Sequence, residues 1–132
     1  MISWLAVALG GAAGGALRYW VNGLVVQRTG EVFPWGTLLV NLSGCALMGA
    51  LAVLAGTQGG LDKATMALLM AGFCGSYTTV SSFSLQTLML FQQGEASQAV
   101  ANIILSLFGC MATLWLGATG VRLLLSQTGA VL

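Results

Sequence analysis

The stretch Gly72-Phe73-Cys74-Gly75-Ser76-Tyr77-Thr78-Thr79-Val80-Ser81-Ser82-Phe83-Ser84 decides how this chain folds. It lies in the middle of an uncharged run over residues 64–90, and seven of the nine residues from Ser76 to Ser84 carry a hydroxyl group. A helix that faces lipid has no use for such groups, because polar or irregular backbone in hydrocarbon is tolerated only where it is buried in protein or lines a wet cavity. The stretch therefore predicts an ion or solute site inside a membrane protein.

The composition around this stretch is that of a membrane protein. Hydrophobic residues make up 58% of the 132 residues and charged residues only 5%, whereas about a quarter of an average soluble domain is charged. Since a spanning helix needs about 20 mostly apolar residues, the sequence predicts one all-α, polytopic domain over residues 1–132. The first span contains Arg18 and lacks a basic region before it, so we interpret it as a mature helix rather than a signal peptide. The four transmembrane helices are predicted at about residues 2–26, 35–56, 64–90 and 99–121.

The residue types exclude several classes of function. The chain has no histidine, and its three cysteines all lie within predicted spans, which favours packing residues over a disulfide framework. Without histidine, and with no other catalytic constellation in the sequence, we do not expect an enzyme. A net charge of +1 gives no signal for nucleic-acid binding.

Positive charges are almost balanced between the two sides of the predicted bundle. With four spans, Lys63 and Arg122 fall on one side, Arg28 falls on the other, and Arg18 lies in the lower part of the first helix. Because Lys and Arg in short loops set the orientation of a membrane protein, this balance favours dual topology, in which two oppositely inserted copies pair antiparallel. The alternative is that so few charges are a poor indicator of the orientation of the chain in the membrane.

The first span combines a face of small residues with a cation. Gly10, Gly11, Gly14 and Gly15 form overlapping G-x-x-x-G pairs, which let helix backbones approach closely in lipid, so we interpret them as packing residues. Arg18 follows one turn later. It either faces an aqueous vestibule and attracts anions or extends to the lipid headgroups.

Polar residues mark one face of the second span and one face of the fourth. Asn41 is predicted to face a pore, with interhelical hydrogen bonding as the alternative. Asn102, Ser106, Cys110 and Thr113 follow one another at helical spacing, which predicts a hydrated track along the fourth helix. The alternative is that these hydroxyl groups bond to the preceding turn of their own helix.

The third span is predicted to break near the middle of the bilayer. Gly75 and the adjacent β-branched pair Thr78 and Thr79 are weak helix formers. A break frees backbone carbonyls, and carbonyls of discontinuous helices coordinate Na⁺ in other membrane proteins. In an antiparallel pair the two breaks meet at the two-fold axis, which places carbonyls of both copies around one central cation.

These motifs resemble the Fluc/CrcB family of fluoride channels over nearly the whole chain. Gly10-Gly11-x-x-Gly14 followed by Arg18-Tyr19 is similar to the first-helix signature, and Gly36-Thr37-Leu38-x-x-Asn41-x-x-Gly44 is similar to the second. The stretch from Gly72 to Ser84 is similar to the third-helix motif, which is the most specific of the three.

The resemblance implies an antiparallel homodimer with two pores in the bacterial plasma (inner) membrane. Its expected partners are fluoride, a second copy and the lipid bilayer, and its expected activity is passive export of F⁻ that relieves toxicity in the cytoplasm. A structural Na⁺, which is not transported, is expected at the dimer interface on the main-chain carbonyls of Gly75 and Thr78. With Arg18 in the vestibule, the implied pore-lining positions are Asn41, Val80, Phe83, Ser106, Cys110 and Thr113.

The sequence departs from the family pattern at several of these positions. Val80 stands where the motif usually has its first Phe, Gln86 stands where a Glu is common, and Cys110 occupies a usual Ser position. The Thr expected four residues after Cys110 is Leu114. These changes keep two alternatives open, a non-conducting subunit and one that needs a different partner. A four-helix drug/proton antiporter is disfavoured because Glu31, Asp62 and Glu95 all fall in loops, and that exchange needs a carboxylate inside a span.

Overall fold

The chain folds into helices only, over the residues that the structure describes. The computed structural model describes residues 2–30, 32–57 and 60–128. The first two helices are α1 (Ile2–Thr29) and α2 (Trp35–Gly56), and the predicted break in the third span is confirmed. The part before the break consists of α3 (Lys63–Met66), a π-helix (Ala67–Cys74) and α4 (Gly75–Tyr77); we call these residues, 63–77, the first half-helix. After the break come α5 (Val80–Gln92) and α6 (Ala96–Thr128).

The helix bounds differ from the predicted spans at several ends. Helix α1 ends at Thr29 rather than 26, and α5 ends at Gln92 rather than 90. The fourth helix extends beyond the predicted residues 99–121 at both ends, and the eight-residue π-helix Ala67–Cys74 was not predicted. By length and composition, two helices of the described chain, α2 and residues 96–127 of α6, are long and apolar enough to cross a membrane.

Turn residues end two of the helices and a carboxylate begins a third. Gly30 (φ +78°) follows α1 and Gly94 (φ +81°) follows α5, in the left-handed conformation that glycine adopts without strain at helix C-termini. Asp62 begins α3, where its carboxylate accepts the backbone amide of Thr65 at 3.1 Å. Hydrogen bonding by Thr65, from its side chain and its amide, holds the pKa of Asp62 below its ordinary value. The cap therefore stabilises α3 fully at a pH above the ordinary pKa of aspartate. This stabilisation is lost as the pH falls through the lowered pKa of Asp62.

Glycine contacts join α1 to the π-helix. A Cβ on Gly10 would overlap the carbonyl oxygen of Leu68, and a Cβ on Gly14 would overlap that of Phe73. From the other side, a Cβ on Gly72 would lie 2.7 Å from the carbonyl oxygen of Val7. The backbones of the two helices are therefore in direct contact. The other two glycines of the α1 motif are less crowded: a Cβ on Gly11 would lie 3.1 Å from the Ser76 hydroxyl, and one on Gly15 would meet nothing within 4 Å.

A second pair of glycines joins α2 to α6. A Cβ on Gly49 would overlap the carbonyl oxygen of Leu114, and a Cβ on Gly117 would overlap that of Ala46. Because lipid supplies no hydrophobic drive for helices to associate, such close backbone contacts are a main source of their packing energy. Helix α2 contacts α1, the first half-helix, α5 and α6. It therefore lies at the centre of the fold, and Asn41 lies in its buried part.

Candidate functional site

The break in the third span consists of two extended residues. Thr78 has φ −77° and ψ 158°, and Thr79 has φ −152° and ψ 118°. Neither conformation is strained, but neither continues a helix, so the backbone groups around the break need partners other than the usual i, i+4 bonds. Inside a membrane these partners must come from the protein.

Asn41 supplies those partners for Thr79. The Asn41 side-chain oxygen accepts the Thr79 amide at 2.8 Å, and the Asn41 amide nitrogen donates to the Thr79 carbonyl at 3.1 Å. Both residues are buried. One side chain on α2 thus satisfies both backbone polar groups of the residue at the break. Since a primary amide has two N–H donors, one Asn41 N–H is not used by this pair of bonds.

Thr79 also begins the helix that follows it. Its hydroxyl oxygen accepts the Ser82 amide at 3.1 Å and donates to the Ser82 hydroxyl at 3.1 Å. This is the usual arrangement of an N-cap, in which a threonine oxygen satisfies an amide that has no helical partner. The positive end of the α5 dipole therefore points at the break.

Because of these bonds, two backbone amides do not donate to the carbonyls that would accept them in a helix, and those two carbonyls lose their helical partners. In a continuous helix the Thr79 amide would bond to the Gly75 carbonyl and the Ser82 amide to the Thr78 carbonyl. Here the first donates to Asn41 and the second to the Thr79 hydroxyl. Gly75 and Thr78 are the residues whose carbonyls the sequence predicted to bind Na⁺. Gly75 is exposed in this chain and Thr78 is half-buried.

A cavity of about 230 Å³ lies on one side of the break. The half-buried Arg18 is the cationic residue of its lining. Ser82, near the start of α5, also lines the cavity. Arg18 is the residue for which the sequence predicted a vestibule, and this cavity is the candidate for it. Its other lining residues are Gly15, Tyr19, Asn22, Thr37, Val40 and Thr79.

A second cavity of about 430 Å³ lies on the other side. We call it the Phe83 cavity, and its walls come from α2, the break, α5 and α6. Thr79 lines both cavities and therefore belongs to the wall between them. The Phe83 cavity brings together five of the six residues predicted to line a pore: Asn41, Val80, Phe83, Ser106 and Cys110.

The sixth predicted pore residue lies elsewhere. Thr113 is not among the residues that line the Phe83 cavity. Its hydroxyl donates to the Cys110 carbonyl at 3.2 Å, which is the bond to the preceding turn that the sequence left open as an alternative. Cys45, Thr78 and the apolar side chains of Ile103, Leu107 and Met111 also line the cavity, and sequence reasoning did not select them as pore residues.

The polar stripe on α6 is tied to α5 at its first end. Asn102 is almost fully buried, and its amide donates to the Thr87 hydroxyl at 2.9 Å. The Thr87 hydroxyl in turn donates to the Phe83 carbonyl at 2.7 Å, and the Ser106 hydroxyl donates to the Asn102 side-chain oxygen at 3.4 Å. This chain of bonds links the backbone of Phe83 to the side chain of Ser106, and both residues line the Phe83 cavity.

Among the described residues, one buried side-chain oxygen or nitrogen atom has no hydrogen-bond partner, and it belongs to the half-buried Gln86. Its side-chain oxygen is buried and makes no hydrogen bond, and it borders a small cavity of about 70 Å³ beside Pro34. A cavity of this size is large enough for a water molecule. The amide at this position is therefore accommodated without a charged partner.

Comparison with known proteins assigns the chain to a family. Residues 5–118 match the family described as CrcB-like protein, Camphor Resistance (CrcB). A protein of Rhodospirillum rubrum named fluoride-specific ion channel FluC is 46% identical over 93% of this chain and 97% of its own length. A protein of Methylocella silvestris with the same name is 46% identical over 88% of this chain and 90% of its own length. The chain therefore belongs to the CrcB family.

Proposed function

We propose that the chain is the subunit of a fluoride-specific channel that passively exports F⁻ across the membrane. The observation that supports this most is the break at Thr79, which lies between a cavity with Arg18 and a cavity with Phe83 and Ser106. The relatives named fluoride-specific ion channels match this chain over nearly its full length.

The residues along this path offer what a small, strongly hydrated anion requires. Fluoride loses its water only where other donors replace it. Arg18 raises the local concentration of anions in the vestibule, and the Ser82 hydroxyl at the positive end of α5 offers the next donor. Asn41 lines the Phe83 cavity, and its second N–H is the donor after that.

Beyond the break, the path continues through the Phe83 cavity. An aromatic ring carries positive charge at its edge, so the ring of Phe83 can meet an anion edge-on. The Ser106 hydroxyl, whose bond to the Asn102 oxygen is long at 3.4 Å, can turn its proton to the anion instead. Val80 is largely exposed in this protomer and lines the same cavity. Its side chain supplies no donor and no ring edge, so on this side of the break the chain relies on Phe83 and Ser106. A narrow, donor-lined route favours F⁻ over the larger Cl⁻.

The pores form, in this proposal, in an antiparallel homodimer within the bacterial plasma membrane. The released carbonyls of Gly75 and Thr78 are hard oxygen donors, which suit Na⁺. One protomer supplies only two of them, so a second copy is needed to surround the ion. Na⁺ would supply a fixed positive charge that holds these carbonyl dipoles together, while the residues of α2, α5 and α6 conduct.

Fluoride efflux from proteoliposomes tests the proposed function. Vesicles loaded with potassium fluoride and given a potassium ionophore should lose F⁻ at equal pH on the two sides, as measured with a fluoride electrode. Vesicles loaded with chloride are the matched control and should retain it. Efflux that requires a proton gradient would indicate antiport instead, although no carboxylate among the described residues lies inside a predicted span. No efflux from folded protein would indicate a non-conducting subunit.

Replacement of Na⁺ tests the central cation separately. An ion that binds only the assembled dimer stabilises it by mass action, by about 2.7 kcal/mol at a concentration 100 times its dissociation constant. Purified protein should therefore unfold and dissociate at a lower temperature when N-methyl-D-glucamine replaces Na⁺. Thr78→Ser, which keeps the backbone carbonyl, should show the same dependence on Na⁺. Equal stability in the two cations would remove the Na⁺ site from the proposal while leaving fluoride conduction untouched.

A further inference from the structure

Two cysteines from different helices line the Phe83 cavity. Cys45 lies on α2 and Cys110 on α6, both line this cavity, and both are partly exposed. Helices α2 and α6 are also close next to these residues, since a Cβ on Gly109 would lie 2.7 Å from a methyl carbon of Leu42. Contacts of Gly49 and Gly117 with the backbone of the opposite helix hold α2 and α6 together beside them, so the distance between the thiols is fixed by the packing of the helices.

The ligand atoms at this place are soft. Thiolate and thioether sulfurs select soft metal ions, whereas hard cations prefer oxygen ligands. Met111 adds a thioether to the lining of the same cavity. Among the described residues, no group of three His, Cys, Asp or Glu side chains is placed to bind a metal ion. Zn²⁺ takes four ligands in structural sites, so this place offers too few ligands for it. An ion that needs only two sulfur ligands can be bound.

The charge of the bound complex limits which metal ion fits this cavity. Many of the surrounding side chains are apolar, including Ile103 and Leu107, and a net charge is costly in such surroundings. A divalent ion that binds two thiolates forms a neutral unit. The two thiol protons pass to water as the metal–sulfur bonds form, and nothing is oxidised or reduced. Of the common soft ions, Hg²⁺ combines this charge with a preference for two opposed sulfurs.

We propose that Cys45 and Cys110 form a binding site for a thiophilic divalent cation of the Hg²⁺ type inside the Phe83 cavity. A metal bound there fills the space beside Phe83 and Ser106. Fluoride conduction is then blocked by soft metal; this second part rests on the proposed function, whereas metal binding does not.

Binding is tested on purified full-length protein without any measurement of flux. One Hg²⁺ per protomer should bind, seen as the ultraviolet charge-transfer band of mercury–thiolate bonds and as a mass increase in native mass spectrometry. Because two tethered thiols act at high effective concentration, about 100-fold more free cysteine should be needed to remove the metal from the wild-type protein than from Cys110→Ser or Cys45→Ala. Cys74→Ala is the matched control, since Cys74 is fully buried, and it should retain the metal as the wild type does.

Flux then tests the consequence. Hg²⁺ should inhibit F⁻ efflux of the wild type and of Cys74→Ala, and dithiothreitol should reverse the inhibition. Inhibition of Cys110→Ser, taken as a fraction of its own uninhibited flux, should be relieved by a cysteine wash that leaves the wild type blocked. Equal ease of removal from the wild type and both cavity variants would overturn the proposed site. If the protein binds the metal with this chelate advantage but conducts no fluoride, the proposed metal site stands and only the proposed function is contradicted.

Discussion

Asn41→Asp is expected to abolish fluoride efflux at neutral pH. The substitution preserves the shape of the side chain and the oxygen that accepts the Thr79 amide, but it replaces an N–H donor with a negative charge beside the proposed path. A like charge about 4 Å from the anion costs about 4 kcal/mol at an effective dielectric constant of 20, which corresponds to a roughly 10³-fold loss of rate. Efflux from proteoliposomes measures this loss directly.

Acidification separates electrostatic repulsion from damage to the fold. Once protonated, the introduced carboxyl again offers one acceptor to the Thr79 amide and one donor to the Thr79 carbonyl, as the native amide does. Efflux should therefore return as pH is lowered, after subtraction of the leak of undissociated HF through protein-free vesicles. Gln93→Glu, the same chemical change at an exposed position, should leave efflux near the wild-type value at neutral pH. Wild-type flux of Asn41→Asp at neutral pH would remove Asn41 from the path.

Gly14→Val is expected to prevent the native fold from assembling. Even the first carbon of the new side chain would overlap the carbonyl oxygen of Phe73, and backbone cannot move aside as a flexible side chain does. Overpacking typically costs about 1–3 kcal/mol and occasionally more, and we expect the upper end because two backbones meet here. Size-exclusion chromatography and thermal unfolding in detergent should show loss of folded protein.

Gly23→Val is the matched control for this prediction. It makes the same change in the same helix at a position where a Cβ would meet nothing within 4 Å, so it carries the same cost in helix propensity without the collision. This variant should remain folded. Equal behaviour of the two variants, whether both fold or both fail, would show that contact with the π-helix is not what requires glycine at position 14.

The break could be predicted because its signal is local. Gly75, Thr78 and Thr79 are weak helix formers in a segment rich in hydroxyl groups, and the chain does leave the helix at Thr78. The eight-residue π-helix just before it was not predicted, because Ala67–Cys74 is an apolar run with no residue that distinguishes one helix type from another. The segment packs against Gly10 and Gly14 of α1, and its own sequence does not contain that contact.

Five of the six residues predicted to line a pore lie around one cavity, but the sequence did not predict the hydrogen bonds that hold them. Periodicity places Asn41 on one face of α2 but does not say which group it meets 38 residues further along the chain. The same limit applies to the stripe on α6. Helical spacing puts Asn102 and Thr113 on one face, yet Asn102 bonds to α5 and Thr113 bonds to its own helix. The number of hydroxyl groups in the third span was the clearest signal, since it marked the region where such bonds would be needed.

The pair of bonds between Asn41 and Thr79 has a consequence for biogenesis. A third span that entered lipid by itself would expose the unpaired amide and carbonyl of Thr79, and each unsatisfied group costs several kcal/mol there. Asn41 precedes Thr79 in the chain, so α2 leaves the ribosome first. Helix α2, which supplies the partners for the broken span, is thus already synthesised when that span enters the membrane. The order of synthesis therefore matches the order in which the polar groups need their partners.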